Sequence, residues 1–402
     1  MPQLGRTFGF VLVAYAFYVA MLSTTLPTPL YPLFEQRYGF GELMVTVIFG
    51  IYAFGVVGAL IVLGNLSDAV GRKPLLLLGL ACAALSALLF LVADSLAPIY
   101  AARIVSGLSA GIFTGTATAT LVDLAPEGRR RLASLVAVVV NLGGLGCGTL
   151  LAGVLASVVG HPLRLPFAVD LGLLVPAVAG VLLTPETVER RELRLRLQTL
   201  GVAPEVRSVF VRGATAAFAT FAVSGVFGSV APSFLGQVLG RKSPTLPGLL
   251  VFVLFGISIF GQLLVRRLSD RHALLVGCVV LIAGVALLAL AVGAESLAAL
   301  LASATVAGFG QGVVIGGGLA AINQRAPVER RGETASSFFV VAYVGLSVPV
   351  IGLGFAVHSF ALKSAAIAFC AAVAALVLVV LASLARPDPE ADPSREDGNG
   401  GR

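Results

Sequence analysis

Charge is scarce in this sequence. Asp, Glu, Lys and Arg make up 12% of its 402 residues while 58% are hydrophobic, and a water-soluble domain carries about twice that charged share. So few charges cannot cover a surface that faces water, which excludes an ordinary soluble globular chain. Histidine and cysteine are scarce as well, with three of the first and four of the second. His161, His272 and His358 fall between apolar runs, whereas Cys82, Cys147, Cys278 and Cys370 fall inside them. The cysteines read as small packing residues, not as a disulfide framework or metal ligands. Gly107-Leu108-Ser109-Ala110-Gly111 matches a hydrolase elbow by letter. It lies inside an apolar run, though, without the strand-to-helix turn or histidine partner that such a nucleophile needs.

What is abundant is apolar sequence in runs of bilayer length, about 20 residues each. Spans are predicted at 8–30, 43–64, 75–93, 98–122, 133–157, 166–183, 209–235, 247–265, 273–293, 297–322, 333–356 and 364–385. The first is too long for a cleavable signal and reads as a retained helix. Twelve spans put both chain ends on one side. Of the 27 basic residues, 21 fall in the segments on the side of the ends, five fall in the alternate loops, and Arg103 lies within a span. That bias predicts cytoplasmic termini and a multi-pass protein of the plasma or inner membrane. It also accounts for the net charge of +7 without nucleic acid, since the basic loops meet anionic headgroups.

The sequence repeats. Leu66-Ser67-Asp68 recurs as Leu268-Ser269-Asp270, Gly107 and Gly111 recur as Gly308 and Gly312, and Ala125-Pro126 recurs as Ala326-Pro327. The expected organisation is an N-terminal six-helix bundle over 1–183, a central cytoplasmic loop over 184–208, a C-terminal six-helix bundle over 209–385, and a disordered tail over 386–402. The loop, rich in Glu and Arg, reads equally as a basic amphipathic helix on the membrane or as a solvated linker. Two parallel halves of this kind leave a cavity between them and rock about it.

The loop after the second span reads Gly64-Asn65-Leu66-Ser67-Asp68-Ala69-Val70-Gly71-Arg72-Lys73-Pro74. Pro74 suits the first turn of a helix and Gly71 a tight turn. Asp68 is expected to latch the halves by facing the N-terminus of the eleventh span, and Asp270 is expected to do the same toward the fifth. The string resembles the signature loop of the major facilitator superfamily through Gly64, Asp68, Gly71, Arg72 and Lys73, departing at Ala69 where that family usually has a base. The resemblance implies an all-α membrane fold, with twelve transmembrane helices in two pseudo-symmetric six-helix bundles.

Arg103, in the fourth span, opens an Arg-x-x-x-Gly string with Gly107 that is similar to the family's element for proton or substrate coupling. A charge inside a span is a functional candidate, and snorkelling to the headgroups is the other reading. Asp170, in the outer part of the sixth span, is a candidate for titration with proton or substrate flux, or an interfacial partner of Arg164. The run from Gly144 to Gly153 partly resembles the antiporter element of the family, with Thr149 where proline is expected. If the resemblance holds, helices 1, 4, 7 and 10 line the cavity. Polar candidates are then Tyr15, Tyr18, Ser23, Thr24, Thr25 and Thr28, Thr215, Thr220 and Ser224, and Gln311. Any one of these hydroxyls is expected more often to bond its own helix backbone.

The implied function is secondary active transport, with proton-driven efflux of small amphipathic or drug-like compounds first. Uptake or facilitated passage of a sugar-like metabolite is the alternative. No paired catalytic constellation supports an enzyme, and no soluble output domain supports a sensor. The expected partners are a small-molecule substrate and the lipid bilayer, the expected state is a monomer, and no cofactor or metal is expected, the proton gradient being the driving force.

Overall fold

The computed structural model describes residues 5–63, 70–126, 128–158, 160–188 and 200–385. Among these residues twelve helices are long and apolar enough to cross a membrane, and all regular structure is helical. The protein is thus a multi-pass membrane protein. In chain order they are α1 (Arg6–Thr25), α2 (Glu42–Leu63), α3 (Arg72–Leu91), α4 (Leu96–Leu124), α5 (Arg130–Val158), α6 (Leu165–Leu183), α7 (Arg207–Ser229), α8 (Thr245–Val265), α9 (Asp270–Gly293), α10 (Leu297–Arg325), α11 (Arg331–Ser359) and α12 (Leu362–Ala385). The face on which α1 begins and α12 ends is called the terminal face below, and the other the far face.

Two ends depart from the predicted spans. Pro27 and Pro29 cannot donate backbone hydrogen bonds, so α1 stops at Thr25. The chain then makes a tight turn over Thr28–Leu30 and continues as a helix over Tyr31–Tyr38. Likewise α7 stops at Ser229, and a wide π-turn over Phe234–Val238 follows, a form frequent at functional sites.

Helices within a half pack through small residues, because lipid supplies no hydrophobic drive between apolar surfaces. A Cβ on Gly107 of α4 would lie 2.1 Å from the Tyr52 carbonyl of α2, and one on Gly308 of α10 would lie 2.3 Å from the Leu254 carbonyl of α8. The repeated glycines therefore make the same crossing in both halves. One apolar core gathers Phe17, Phe34, Phe90, Phe113 and Phe167. Another gathers Phe227, Leu250, Leu281, Leu300 and Val377.

The halves meet along α2 with α11 and along α5 with α8. Toward the far face this contact is close. Ser347 donates to the Gly50 carbonyl at 2.9 Å, and Thr149 to the Gly248 carbonyl at 3.1 Å. The Ser157 and Thr245 hydroxyls are 2.8 Å apart, and Gln237 donates to Glu42 at 2.7 Å. These bonds hold the far side shut. At the terminal face Arg266 reaches the Arg131 carbonyl at 3.4 Å.

Candidate functional site

Two of the gating residues named from sequence, Gly64 and Asp68, lie outside the described residues, as do residues 189–199 of the Glu- and Arg-rich loop and the tail. The rest of that loop is built around Gly71, whose backbone φ of +108° belongs to a region almost reserved for glycine. That conformation presents the first amides of α3 to a carboxylate absent from the sequence reading. Glu186, three residues beyond α6, accepts from the Arg72 N–H at 2.9 Å and the Lys73 N–H at 3.1 Å. It satisfies two of the three orphan donors at that helix start, Pro74 having no N–H, and places negative charge at the positive end of the dipole. Lys73 answers at the other end, its ammonium donating to the Leu182 and Thr184 carbonyls that end α6. Arg72 Nε pairs with Asp123 of α4 at 3.3 Å. Helices 3, 4 and 6 are thereby joined at the terminal face.

The second half repeats this arrangement instead of the expected reach to α5. Asp270 is the first residue of α9 and accepts from Gln324 of α10 at 3.3 Å. It joins two helices of its own half, because the α9 start lies beside the α10 end. Arg271 donates to the Leu384 carbonyl at 2.8 Å, closing α12 as Lys73 closes α6.

Deeper in the first half, Arg103 does not snorkel. It is 2% exposed and donates to the Thr24 carbonyl at 2.9 Å, the Ile48 carbonyl at 3.2 Å and the Phe49 carbonyl at 3.4 Å. Thr24 is one of the last residues of α1, where carbonyls lack intrahelical donors and the dipole is negative. The break at Pro27 thus makes the acceptor that Arg103 uses. Its guanidinium carbon also lies 4.6 Å from the Tyr52 ring centre, a cation–π distance. Carbonyls and an aromatic face hold this charge, and among the described residues it has no ion pair.

Asp170 is 1% exposed, and its partner is Ser23 of α1, not Arg164. The Ser23 hydroxyl donates to Asp170 Oδ1 at 2.6 Å and lies 3.0 Å from the Val19 carbonyl, a second acceptor for the same proton. The next residue, Thr24, holds Arg103, and the one after, Thr25, donates to the Leu145 carbonyl of α5 at 2.7 Å. Three consecutive residues at the end of α1 are therefore bonded to α6, α4 and α5.

The cavity candidates divide. Thr24 donates to the Met21 carbonyl at 2.7 Å and Thr220 to the Ala217 carbonyl at 2.8 Å, so both hydroxyls are used by their own helices. Thr28 is buried in the turn after α1. Tyr18 reaches α5 beside Gly143. Ser224 and Gln311 form a side-chain pair at 2.8 Å. Where the halves meet at mid-depth the contact is aromatic. Tyr52 of α2 meets Tyr343 of α11 with ring centres 6.2 Å apart, and Tyr343 meets Phe221 of α7 at 5.3 Å, edge to face. Arg103, Tyr52, Tyr343 and Phe221 make a continuous line across the two halves. Helical spacing from the cavity threonines does not reach Tyr52 or Tyr343, which sit on helices outside the set taken to line the cavity.

Two six-helix halves with this repeat match the family profile described as Major Facilitator Superfamily over residues 13–350. The chain belongs to the Major Facilitator Superfamily. It is a transporter and not an enzyme. It is similar to the multidrug resistance protein MdtL of Klebsiella pneumoniae (strain 342), 29% identical over 137 residues, which are 34% of this chain and 33% of that protein. It is also similar to the cephamycin export protein CmcT of Amycolatopsis lactamdurans, 30% identical over 149 residues, 37% of this chain and 31% of that protein. These matches span about a third of each relative. In structure it resembles a bacterial homologue of the human lysosomal transporter Spinster in two inward-facing crystal structures. The unoccupied one has a TM-score of 0.68 at 15% identity, covering 94% of this chain and 96% of the other. The occupied one has a TM-score of 0.70 at 15% identity, covering 96% and 97%. At that identity the likeness is one of fold.

Proposed function

We propose that this transporter exports small amphipathic or drug-like compounds by alternating access, driven by the proton gradient. The observation that carries the reading is the pair of buried charged side chains held by neighbouring residues of α1, Asp170 on Ser23 and Arg103 on Thr24. A proton taken up by Asp170, once the carboxyl turns to bring the protonated oxygen to face Ser23, makes the group a donor. Ser23 then accepts from Asp170, and its own proton moves to the Val19 carbonyl, already within reach. The tie between α1 and α6 reverses just before the Pro27 break, at the point where α1 also holds α4 and α5. Arg103, facing Tyr52, passes that change toward the aromatic contact between the halves.

The solute class is supported by the lining and by the relatives. The cavity threonines are largely bonded to backbone, so aromatic rings offer the larger free contact. Such rings suit planar or amphipathic solutes better than strongly charged ones. The matched relatives include a multidrug resistance protein and a cephamycin export protein. The basic bias supports a cytoplasmic terminal face in the inner or plasma membrane. The protein is read as a monomer in the bilayer that needs no cofactor, with Gly71, Arg72, Lys73 and Asp270 fixing the helix ends of each half at the terminal face so that each half moves as a unit.

The test is flux in proteoliposomes under an imposed pH gradient, screened against dyes, aromatic acids and sugars. Gradient-accelerated movement of the dyes against the proton flow supports the reading. Gradient-independent equilibration of a sugar assigns facilitated passage instead.

A further inference from the structure

Helices α1 and α6 close against each other at the terminal face. A Cβ on Gly9 would lie 3.1 Å from Thr184 and 3.3 Å from Pro185, and one on Gly180 would lie 3.2 Å from Leu12. The equivalent pair in the second half, α7 and α12, does not close. It leaves an open groove of about 550 Å³, which lies between the first turns of α7 and the last of α12.

The groove has two kinds of wall. Arg207 and Ser208, at the start of α7, line it nearest the terminal face, while Val211, Arg212, Val379 and Val380 line it further along the helices. Val211 is 55% exposed and Val379 66% exposed, so the apolar wall opens sideways to the bilayer. On α7 the lining residues recur at one-turn spacing and so share a face. A cationic residue at headgroup level above an apolar trough forms the pattern that complements an anionic amphipath.

We propose that this groove is a binding site for an anionic glycerophospholipid of the leaflet at the terminal face. The headgroup phosphate is held by Arg207 and Ser208, and one acyl chain lies along Val211, Val379 and Val380. The other occupant within reach is the chain's own segment 386–402, which is acidic and begins next to α12. Its sequence RPDPEADPSREDGNGGR offers one alanine and no larger aliphatic side chain to meet the valines, which favours the lipid. The site does not depend on which solute is carried.

The experiment uses the full chain in nanodiscs of phosphatidylcholine alone or of an equimolar phosphatidylcholine and phosphatidylglycerol mixture, with retained lipid counted by native mass spectrometry. Wild type is expected to retain one phosphatidylglycerol in preference to phosphatidylcholine. Arg207→Gln should weaken that retention about fivefold, the usual effect of one basic residue at an anionic surface. Val211→Trp, which fills the groove and leaves the arginines in place, should abolish it. Arg6→Gln, at the start of the closed α1 and α6 pair, should behave as wild type. Equal retention of both lipids by wild type, or undiminished retention in both Arg207→Gln and Val211→Trp, would overturn the proposal. So would retention that emerges only when residues 386–402 are deleted, which would assign the groove to the tail.

Discussion

The Ser23 hydroxyl and the Asp170 carboxylate, brought together from α1 and α6, lie 2.6 Å apart in the interior of the first half. One residue further along α1, Thr24 gives its carbonyl to Arg103. The end of one broken helix therefore serves as the common support of both charged side chains. Removing either partner acts on α1 as well as on the charge.

The bond between Ser23 and Asp170 is measurable as a coupling. Ser23→Ala is expected to destabilise the protein by about 1.5–3 kcal/mol, the range for hydrogen bonds to charged groups. In an Asp170→Ala background the same change should cost much less, since the partner is already gone. Thermal unfolding of the four proteins in one detergent checks this, and strictly additive losses would mean that the two side chains do not share the bond.

Glu186 acts as a cap supplied from a distant part of the chain. Glu186→Ala removes the acceptor for two amides at the start of α3, a loss of about 0.5–2 kcal/mol for a helix cap. Transport should slow at the same time, because α3, α4 and α6 lose a common tie. Unchanged thermal unfolding would show the cap to be dispensable.

Gly71 is limited by conformation and by space. At its φ of +108° any other residue bears strain of about 1–3 kcal/mol, and an added Cβ would lie 2.7 Å from Glu186 Oε2. Gly71→Ala is therefore expected to cost at least as much as Glu186→Ala in thermal unfolding, and a neutral result would show that the loop adopts another conformation.

The far-side closure offers a direct test of rocking. The Ser157 and Thr245 hydroxyls are 2.8 Å apart across the halves, so paired cysteines at these positions, in a background freed of native cysteines, should cross-link. Flux should stop on oxidation and return on reduction. Full flux with the cross-link formed would mean that the halves do not separate there.

Much of the fold was legible in the sequence, because a bilayer demands uninterrupted apolar helices and leaves few alternatives. The predicted 98–122 became Leu96–Leu124 and the predicted 273–293 became Asp270–Gly293. The prolines at Pro27 and Pro29 mark a break near the outer end of the first span, and there the missing donors stop α1 at Thr25. The charged pair was legible as individual residues and not as an arrangement. Arg103 and Asp170 stand out because ions are rare inside spans, yet their partners are a carbonyl and a hydroxyl on a third helix. Composition carries no trace of such a contact. The carbonyl had one sequence signal, since a proline pair frees acceptors at a helix end. Glu186 had none, because a carboxylate in a charged loop looks like any solvated residue until the helix it caps is placed beside it. Asp270 was misread because its likeness to Asp68 in sequence says nothing about which helix end lies next to it, and that neighbour is Gln324 of α10.

The most direct test of the central claim, that Asp170 carries the coupling proton, is solute flux in proteoliposomes with and without an imposed pH gradient for wild type and Asp170→Asn. The account predicts that the gradient accelerates wild type and leaves Asp170→Asn at its gradient-free rate, with solute exchange at equal pH retained. Equal acceleration of both proteins by the gradient would contradict it.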